Sequence, residues 1–525
     1  MREGVGYLDG PRLRRCLTAG LDRLIAEREY LNKINVFPVP DGDTGNNLAR
    51  TAMAARAAIA ENCASAAETL TQLADGALDG AQGSSGVILA QFFQGLATVL
   101  AGKERIHTAE LAAALADAAV TTRTVLAKPR EGTIITVIDA TATAAQRNSG
   151  CKDFAEFLPM VLNASRAALS ATTEQLEELR KAGVVDAGGH GFVCILEGCT
   201  DYMLHGSLRE HPAPQLPEVE SAAGDMIGQA RSLTRVDRDV AIVTDSAADI
   251  AASVMDELGI HMVPLRVQFG IDSHLDKVGM NPAEFRRELL SNPNTPGTSQ
   301  PTQGDFRRMY EFLGAHFGQT LSVHLSSGLS GTHQGAVTAA GRLNQEIALQ
   351  IVDSLNISVG QGLLTVRAAQ LAEQGLRGEQ LALAVAAETT RIHTFALVSD
   401  LTSAVRSGRI KAIVKLIVDL LHLTPILGNT QSGKIGVSGF IFGRRNLVAR
   451  FANHVVGKLD SKRSWEYAIA HGYHEASDAQ QLDDLLNNRM PDTDCAWKTE
   501  IGTALGVHAG MAALVIAFRD TSADN

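Results

Sequence analysis

Hydrophobic periodicity changes once along this chain, and the change divides it. Before residue 205, apolar residues recur at helical spacing and no stretch reads convincingly as a strand. From 239 onward, short β-branched runs alternate with helical patterns. Residues 205–238 between them are polar and carry Pro212, Pro214 and Pro217, the composition of a linker with room for one short helix. The expected organisation is multidomain: an all-α domain over 1–204, a linker over 205–238 and an α/β domain over 239–525. A chain of 525 residues is too long for one hydrophobic core, which agrees with this division. Alternation of strand and helix implies a largely parallel sheet covered by helices.

In the first part, residues 11–31, 44–60, 65–75, 86–100, 108–126 and 154–169 read as helices, and a last apolar helix ends near Leu204. Thr172, Thr173, Glu174 and Gln175 read as a capping box opening a helix that Gly183 closes. Aromatic residues are only 5% of the chain and alanine is common, which favours helices packed closely together. In the second part, strands are expected at 240–244, 260–269, 320–325, 349–352, 395–398, 467–470 and 513–518. Asp245 and Ser246 are read as the cap of a helix that stops at Gly259.

Composition narrows the function. The net charge of −11 argues against a large nucleic-acid footprint. No run of about 18 apolar residues occurs and the N-terminal stretch has no apolar signal core, so no integral membrane segment and a cytoplasmic location are expected. The six cysteines are scattered without a Cys-x-x-Cys pair, which indicates neither a disulfide framework nor a zinc site.

The most specific motif is Asn35-Val-Phe-Pro-Val-Pro-Asp-Gly-Asp-Thr-Gly-Asn-Asn47. Asp41 and Asp43 sit one residue apart in a loop shaped by Pro38, Pro40, Gly42 and Gly45. Two carboxylates so placed can converge on one hard cation, with Asn35 as a third oxygen donor. Apolar Val36, Phe37 and Val39 flank them, as in a loop held against a core. Three more loops join helices in this part. Gly83-Ser84-Ser85-Gly86 opens a helix and offers backbone N–H groups and hydroxyls to a phosphate. Residues 128–133 supply cations and Thr133, and Asp186-Ala-Gly-Gly189 is a turn with a carboxylate. Each has an ordinary structural reading alone; together their ends can gather at one rim. Gly428–Lys434 fits most of a P-loop, but Ile435 cannot ligate Mg²⁺ and residues 435–442 read as strand or hairpin rather than helix.

In the second part, hydroxyl residues cluster where strands end: Thr298-Ser299, Ser326-Ser327 and Ser330 to Thr332, and Asp353-Ser354. Ligands of open α/β sheets bind at such ends. Arg409, in Ser407-Gly-Arg-Ile410, could reach a transferred phosphate, and His508 precedes the last strand.

These motifs carry a resemblance. Residues of about 8–204 resemble the nucleotide-binding, DhaL-type domain of dihydroxyacetone kinases, and are most similar to the version in the kinase subunit of bacterial fatty acid kinase; residues 35–47, 81–91, 128–137 and 182–191 carry the likeness. Residues of about 239–520 resemble the DegV family, the fatty-acid-binding partner in that system, through 243–246, 298–301, 326–332, 353–354 and 407–410. The resemblance implies a helical barrel followed by an α/β lipid-binding domain of two subdomains. It implies Mg²⁺ on Asp41, Asp43 and Asn35, and ATP against Asn46, Asn47, Gly83, Ser84, Ser85, Thr133, Asp186 and Gly188. It also implies an acyl carboxylate held by a hydroxyl of Thr298 or Ser299 and one of Ser326 or Ser327, with His508 nearby, and Arg409, Asp41 and Asp43 serving phosphoryl transfer. Thr424-Pro425 and the Ala-Gly-Met after His508 depart from the DegV pattern. The activity so implied is phosphorylation of a fatty acid carboxylate by ATP, with a homodimer and an acyl-phosphate acceptor enzyme as open partners. A small ketone or polyol kinase and a fatty acid carrier or sensor are the alternatives.

Overall fold

The computed structural model describes residues 4–525 apart from 38–41, 61, 126–128, 206–238, 271, 344–346, 399–400, 402–404, 406–422, 444, 473–475, 511, 523 and 525. Asp41, Arg409 and the linker therefore lie outside the described residues. The chain forms two compact units whose main division falls between Val219 and Glu220.

The first unit is helical. Its long helices are Gly10–Ala26, Thr44–Ala58, Ala66–Gly80, Gly83–Val99, Thr108–Val125, Ile134–Arg147, Phe154–Gln175 and Ala187–His205. Each packs on the next, and the last returns to pack on the first, closing a barrel. Small residues make the closure possible. A Cβ on Gly198 would lie 2.4 Å from the Ala19 carbonyl oxygen, and one on Gly20 would lie 2.6 Å from that of Ile195. Across the same seam the Cys199 thiol donates to the Cys16 carbonyl at 3.2 Å and the Cys16 thiol to the Cys199 carbonyl at 3.7 Å. Both cysteines are buried, and both are free thiols.

The local readings need three corrections in this unit. Helix Phe154–Gln175 runs straight through Thr172, so no capping box opens there; the short helix Glu177–Ala182 follows, and Gly183 closes it at φ 66°. Residues 11–31 divide into Gly10–Ala26 and Arg28–Lys33. Two-residue strands Leu8–Asp9 and Arg105–Ile106 pair, although no strand was expected here.

The described residues of the second unit form three sheets. Ile260–Val263, Val240–Asp245, Gln319–His324 and Leu349–Asp353 form a four-stranded sheet, parallel throughout. Asp272–Leu275, Arg266–Phe269 and Pro296–Ser299 form a small antiparallel sheet. The third has six strands in the order Ile435–Phe442, Leu423–Asn429, Ile392–Leu397, Leu514–Asp520, Trp465–His471, Asp494–Glu500. Its ladders are antiparallel except for the last pair, so the parallel pairing read from the sequence describes the smaller of the two main sheets. Residues 260–269 are two strands because Pro264 has no N–H to continue the ladder. Asp245 caps only a single 3₁₀ turn, Ser246–Ala248; the helix that Gly259 ends begins later, at Ala252. Residues 423–442 form the hairpin that excludes a P-loop. Helix Val359–Glu373 contacts strands of both main sheets and is buried on most sides, as a helix between two layers must be.

Gly198→Ala is expected to destabilise the helical unit by about 1–3 kcal/mol through overpacking of the seam, whereas Gly150→Ala, with nothing within 4 Å of the added Cβ, should be close to neutral. Urea unfolding followed by circular dichroism checks this; equal stability of the two variants would contradict the close-packed seam.

Candidate functional site

The acidic loop is anchored on both sides. Asn32 Nδ2 donates to Asn46 Oδ1 and Asn32 Oδ1 accepts from the Asn46 N–H, each at 3.1 Å. Thr44 Oγ1 donates to Asn35 Oδ1 at 2.7 Å. Asp43 is half-buried and directly precedes helix Thr44–Ala58, yet its side chain does not cap that helix. The Asn47 N–H instead bonds the Asp43 carbonyl at 2.9 Å.

The glycine loops converge on this end of the unit. Gly83 holds φ +61°, a conformation glycine adopts freely, and a Cβ there would sit 2.5 Å from Asn47 Nδ2. Asn47 is buried, and its Oδ1 has no hydrogen-bond partner among the described residues. Around the Cβ position of Gly188, Asp186 Oδ2 and Ser85 Oγ each lie at 3.3 Å, and Ile134, which follows Thr133, lies at 3.4 Å. Loops from four places in the sequence are thus within contact of one another. Ser84 is exposed, and the Thr133 hydroxyl turns back to the Arg130 carbonyl at 2.7 Å. Asp186 precedes helix Ala187–His205 and accepts the Gly189 N–H at 2.7 Å, so this turn starts a helix. Burial pushes the Asp186 carboxyl up to about 6, against the pull of the Gly189 and Ile134 N–H groups. Among the described residues no three His, Cys, Asp or Glu side chains group as a metal site. The donors present (Asn35, Asp43 and the unpartnered Asn47 oxygen) are all oxygens, a set that suits Mg²⁺.

The second unit contains a cavity of about 1070 Å³, counting its open mouth. Its walls come from strands of the three-stranded and six-stranded sheets, from segments that follow strands of the parallel sheet, and from helix Thr503–Ala509. Most of the lining is apolar, including Leu265, Leu325, Ile357, Leu427, Ile435 and Val515. The polar lining residues are a minority. Thr298 Oγ1 and His508 Nε2 are 2.7 Å apart, and both line the cavity. Ser299 lines it too, and accepts from Gln268 Nε2 at 3.0 Å.

Ser326 and Ser327 are not part of that lining. Ser326 is fully buried; its hydroxyl donates to the Gly433 carbonyl at 2.7 Å and accepts the Gly328 N–H at 3.2 Å. Ser327 is exposed, and its N–H bonds the Asp353 carboxylate at 3.2 and 3.3 Å. The same loop contributes Ser330 to the wall instead. Gln300, Ser358, Thr394 and Asn429 are further polar wall residues that the sequence reading did not single out. No helix among the described residues is long and apolar enough to cross a membrane.

The family described as "Uncharacterised protein, DegV family" matches residues 239–520, and the DAK2 domain matches residues 38–201. Protein DegV of Bacillus subtilis is 28% identical over 278 residues, 53% of this chain and 98% of its own length. Protein YloV of the same organism is 36% identical over 210 residues, 40% of this chain but only 37% of YloV. Among solved structures, DegV of Bacillus subtilis, described as a fatty acid binding protein, is 27% identical and covers 54% of this chain and all of that one, with a TM-score of 0.49. A Thermus thermophilus DegV family protein, described by its fatty acid binding, is 24% identical over 54% of this chain and 99% of its own, also at 0.49.

The raised Asp186 carboxyl predicts a pH dependence. Its folded value, about 6, exceeds the ordinary 3.8. The folded unit therefore retains a proton that the unfolded chain releases first. The stability this contributes is complete below pH 3.8 and is lost as pH rises through about 6. In ligand-free protein, Asp186→Asn should remove that decline, raising thermal stability more at pH 7.5 than at pH 4.5, by roughly 2–3 kcal/mol at the higher pH. An equal effect at both pH values would contradict a buried, proton-holding carboxyl.

Proposed function

This chain belongs to the DegV family, and on that premise we propose that it binds a fatty acid in the cavity of its second unit and phosphorylates the carboxylate with ATP held by its DAK2 domain. The observation that carries the reading is the cavity itself. Its walls are mostly apolar, and its polar groups include a hydroxyl–imidazole pair. A long aliphatic chain with one polar end fits that distribution; a small ketone or polyol would leave most of the apolar wall in contact with water.

A fatty acid carboxylate is ionised at neutral pH, so it needs no general base to become a nucleophile. The task left to the protein is positioning and charge neutralisation. The Thr298 hydroxyl would accept from His508 Nε2 and donate its own hydrogen to the carboxylate, the imidazole thereby aiming the hydroxyl. In the DAK2 domain, Asp43 with Asn35 and Asp41 would hold Mg²⁺, and Ser85, the N–H groups that open helix Gly83–Val99 and the Gly188 backbone would take the phosphates. Bound there, Mg²⁺ would supply neutralisation of the phosphate charge. Arg409 is assigned to the transferred phosphate.

The test is incubation of the purified chain with palmitic acid, Mg-ATP and hydroxylamine, followed by mass spectrometry. Palmitoyl hydroxamate is expected. Lipid bound without hydroxamate would overturn the kinase assignment and leave a carrier, and phosphorylation of dihydroxyacetone without lipid binding would overturn both. Two substitutions separate the functions. Asp43→Ala should abolish hydroxamate formation while leaving the palmitate Kd within about twofold. Thr298→Val should weaken palmitate binding about tenfold, the equivalent of one hydrogen bond to a charged group, as measured by calorimetry.

A further inference from the structure

One wall of the cavity rests on a buried ionic cluster. Asp249 and Asp276 are both fully buried. Asp249 Oδ1 accepts from Lys277 Nζ and from the Gly502 N–H, each at 2.9 Å, and its Oδ2 accepts the Ser358 hydroxyl at 2.7 Å. Asp276 Oδ1 accepts both the N–H and the hydroxyl of Thr503, at 2.6 and 2.7 Å. Three members of this cluster stand in the left-handed region without being glycine: Asp249 at φ 42°, Lys277 at 67° and Ser358 at 56°. Such strain persists only where the surroundings enforce it, and it concentrates at ligand sites.

Gly502 and Thr503 begin the seven-residue helix Thr503–Ala509. A helix this short does not hold its own shape in water, so its placement must come from contacts at its ends and on its face. Its N-terminal turn is fixed by the two carboxylates. A Cβ on Gly502 would lie 2.7 Å from Lys277 Cε and 3.0 Å from Asp276 Oδ2, so helix and cluster meet with no free space. The cavity face of the helix carries Ala504, Leu505 and His508, and Ser358, bound directly to Asp249, is another wall residue.

We propose that Asp276, together with Asp249 and Lys277, is a positioning cluster that fixes helix Thr503–Ala509 and so sets His508 against Thr298 in the orientation that receives a carboxylate. The inference rests on the fatty-acid reading of the cavity. Asp276 touches no ligand in this account; it acts through Thr503 on His508.

The test compares palmitic acid with hexadecanol, which has the same chain and no carboxylate, by calorimetry on the full chain. Asp276→Ala should weaken palmitate binding about tenfold and leave hexadecanol binding unchanged. Asp276→Asn keeps an oxygen to accept from Thr503 and should restore palmitate binding to within about threefold of the parent. A purely structural role would lower both ligands together, and no effect on either would equally overturn the inference. If Asp276→Ala does not fold, Thr503→Val decides: it removes the hydroxyl donor alone and should still lower palmitate binding without changing hexadecanol. Failure of the unsubstituted chain to bind palmitate would defeat the fatty-acid reading itself, a result distinct from a variant that binds as the parent does.

Discussion

Asp245 is the residue on which the α/β unit depends. It ends the first strand of the parallel sheet, fully buried, where a carboxylate is tolerated only if its oxygens are satisfied. Oδ1 accepts the Ala247 N–H at 3.1 Å; Oδ2 accepts the Leu325 N–H at 2.8 Å and stands 3.0 Å from His324 Nδ1. The far side of that imidazole is also engaged, with Ser322 Oγ at 2.7 Å and the Tyr310 hydroxyl at 3.2 Å from Nε2. This chain resembles a hydrolytic triad in its order of groups, but every member is sealed from solvent. Its consequence is structural. Asp245 locks the carboxyl ends of two adjacent parallel strands at the point where Ala247 and Leu325 leave them, and both residues become cavity wall.

The second layer of control sits four residues further on. Asp249 and Asp276 organise the helix and the loop that bring His508 and Ser358 to the same cavity. Polar networks in such surroundings are worth little as net stability but are costly to leave incomplete. Here they decide geometry: the apolar wall supplies room for a chain, and the buried carboxylates decide which polar atoms meet its end. The helical unit works by a different principle. Its loops approach one another through glycine and small side chains, and the groups near the junction are asparagine oxygens, hydroxyls and carboxyl groups, of which burial raises Asp186 to about 6.

Much of this was legible in the sequence because it depends on local chemistry. The change of hydrophobic period marked the helical and the α/β architectures. The hydroxyl at Thr298 pointed to a strand end. What failed to show was what depends on long-range partners. Nothing near Thr172 indicates that its hydroxyl will accept the Asp186 N–H and leave the helix unbroken. The loop 326–332 was visible as a hydroxyl-rich turn. Which hydroxyl faces the cavity was not, because Ser326 is engaged by Gly433, more than a hundred residues away. Strand Asp494–Glu500, Asp-Cys-Ala-Trp-Lys-Thr-Glu at a sheet edge, has no β-branched apolar run, a weak signal for any strand. Asp249, Asp276 and Lys277 look like surface charges until the fold brings them together with Gly502 and Thr503.

The central claim is that the cavity holds a fatty acid with its carboxylate at the Thr298–His508 pair. A crystal structure with a fatty acid brominated at its terminal carbon tests it most directly, because the anomalous signal of bromine marks the tail independently of the head. The predicted result is a carboxylate oxygen within hydrogen-bond distance of Thr298 Oγ1, with bromine among the apolar wall residues. Bromine beside His508, or a cavity that remains empty at saturating ligand, would contradict it.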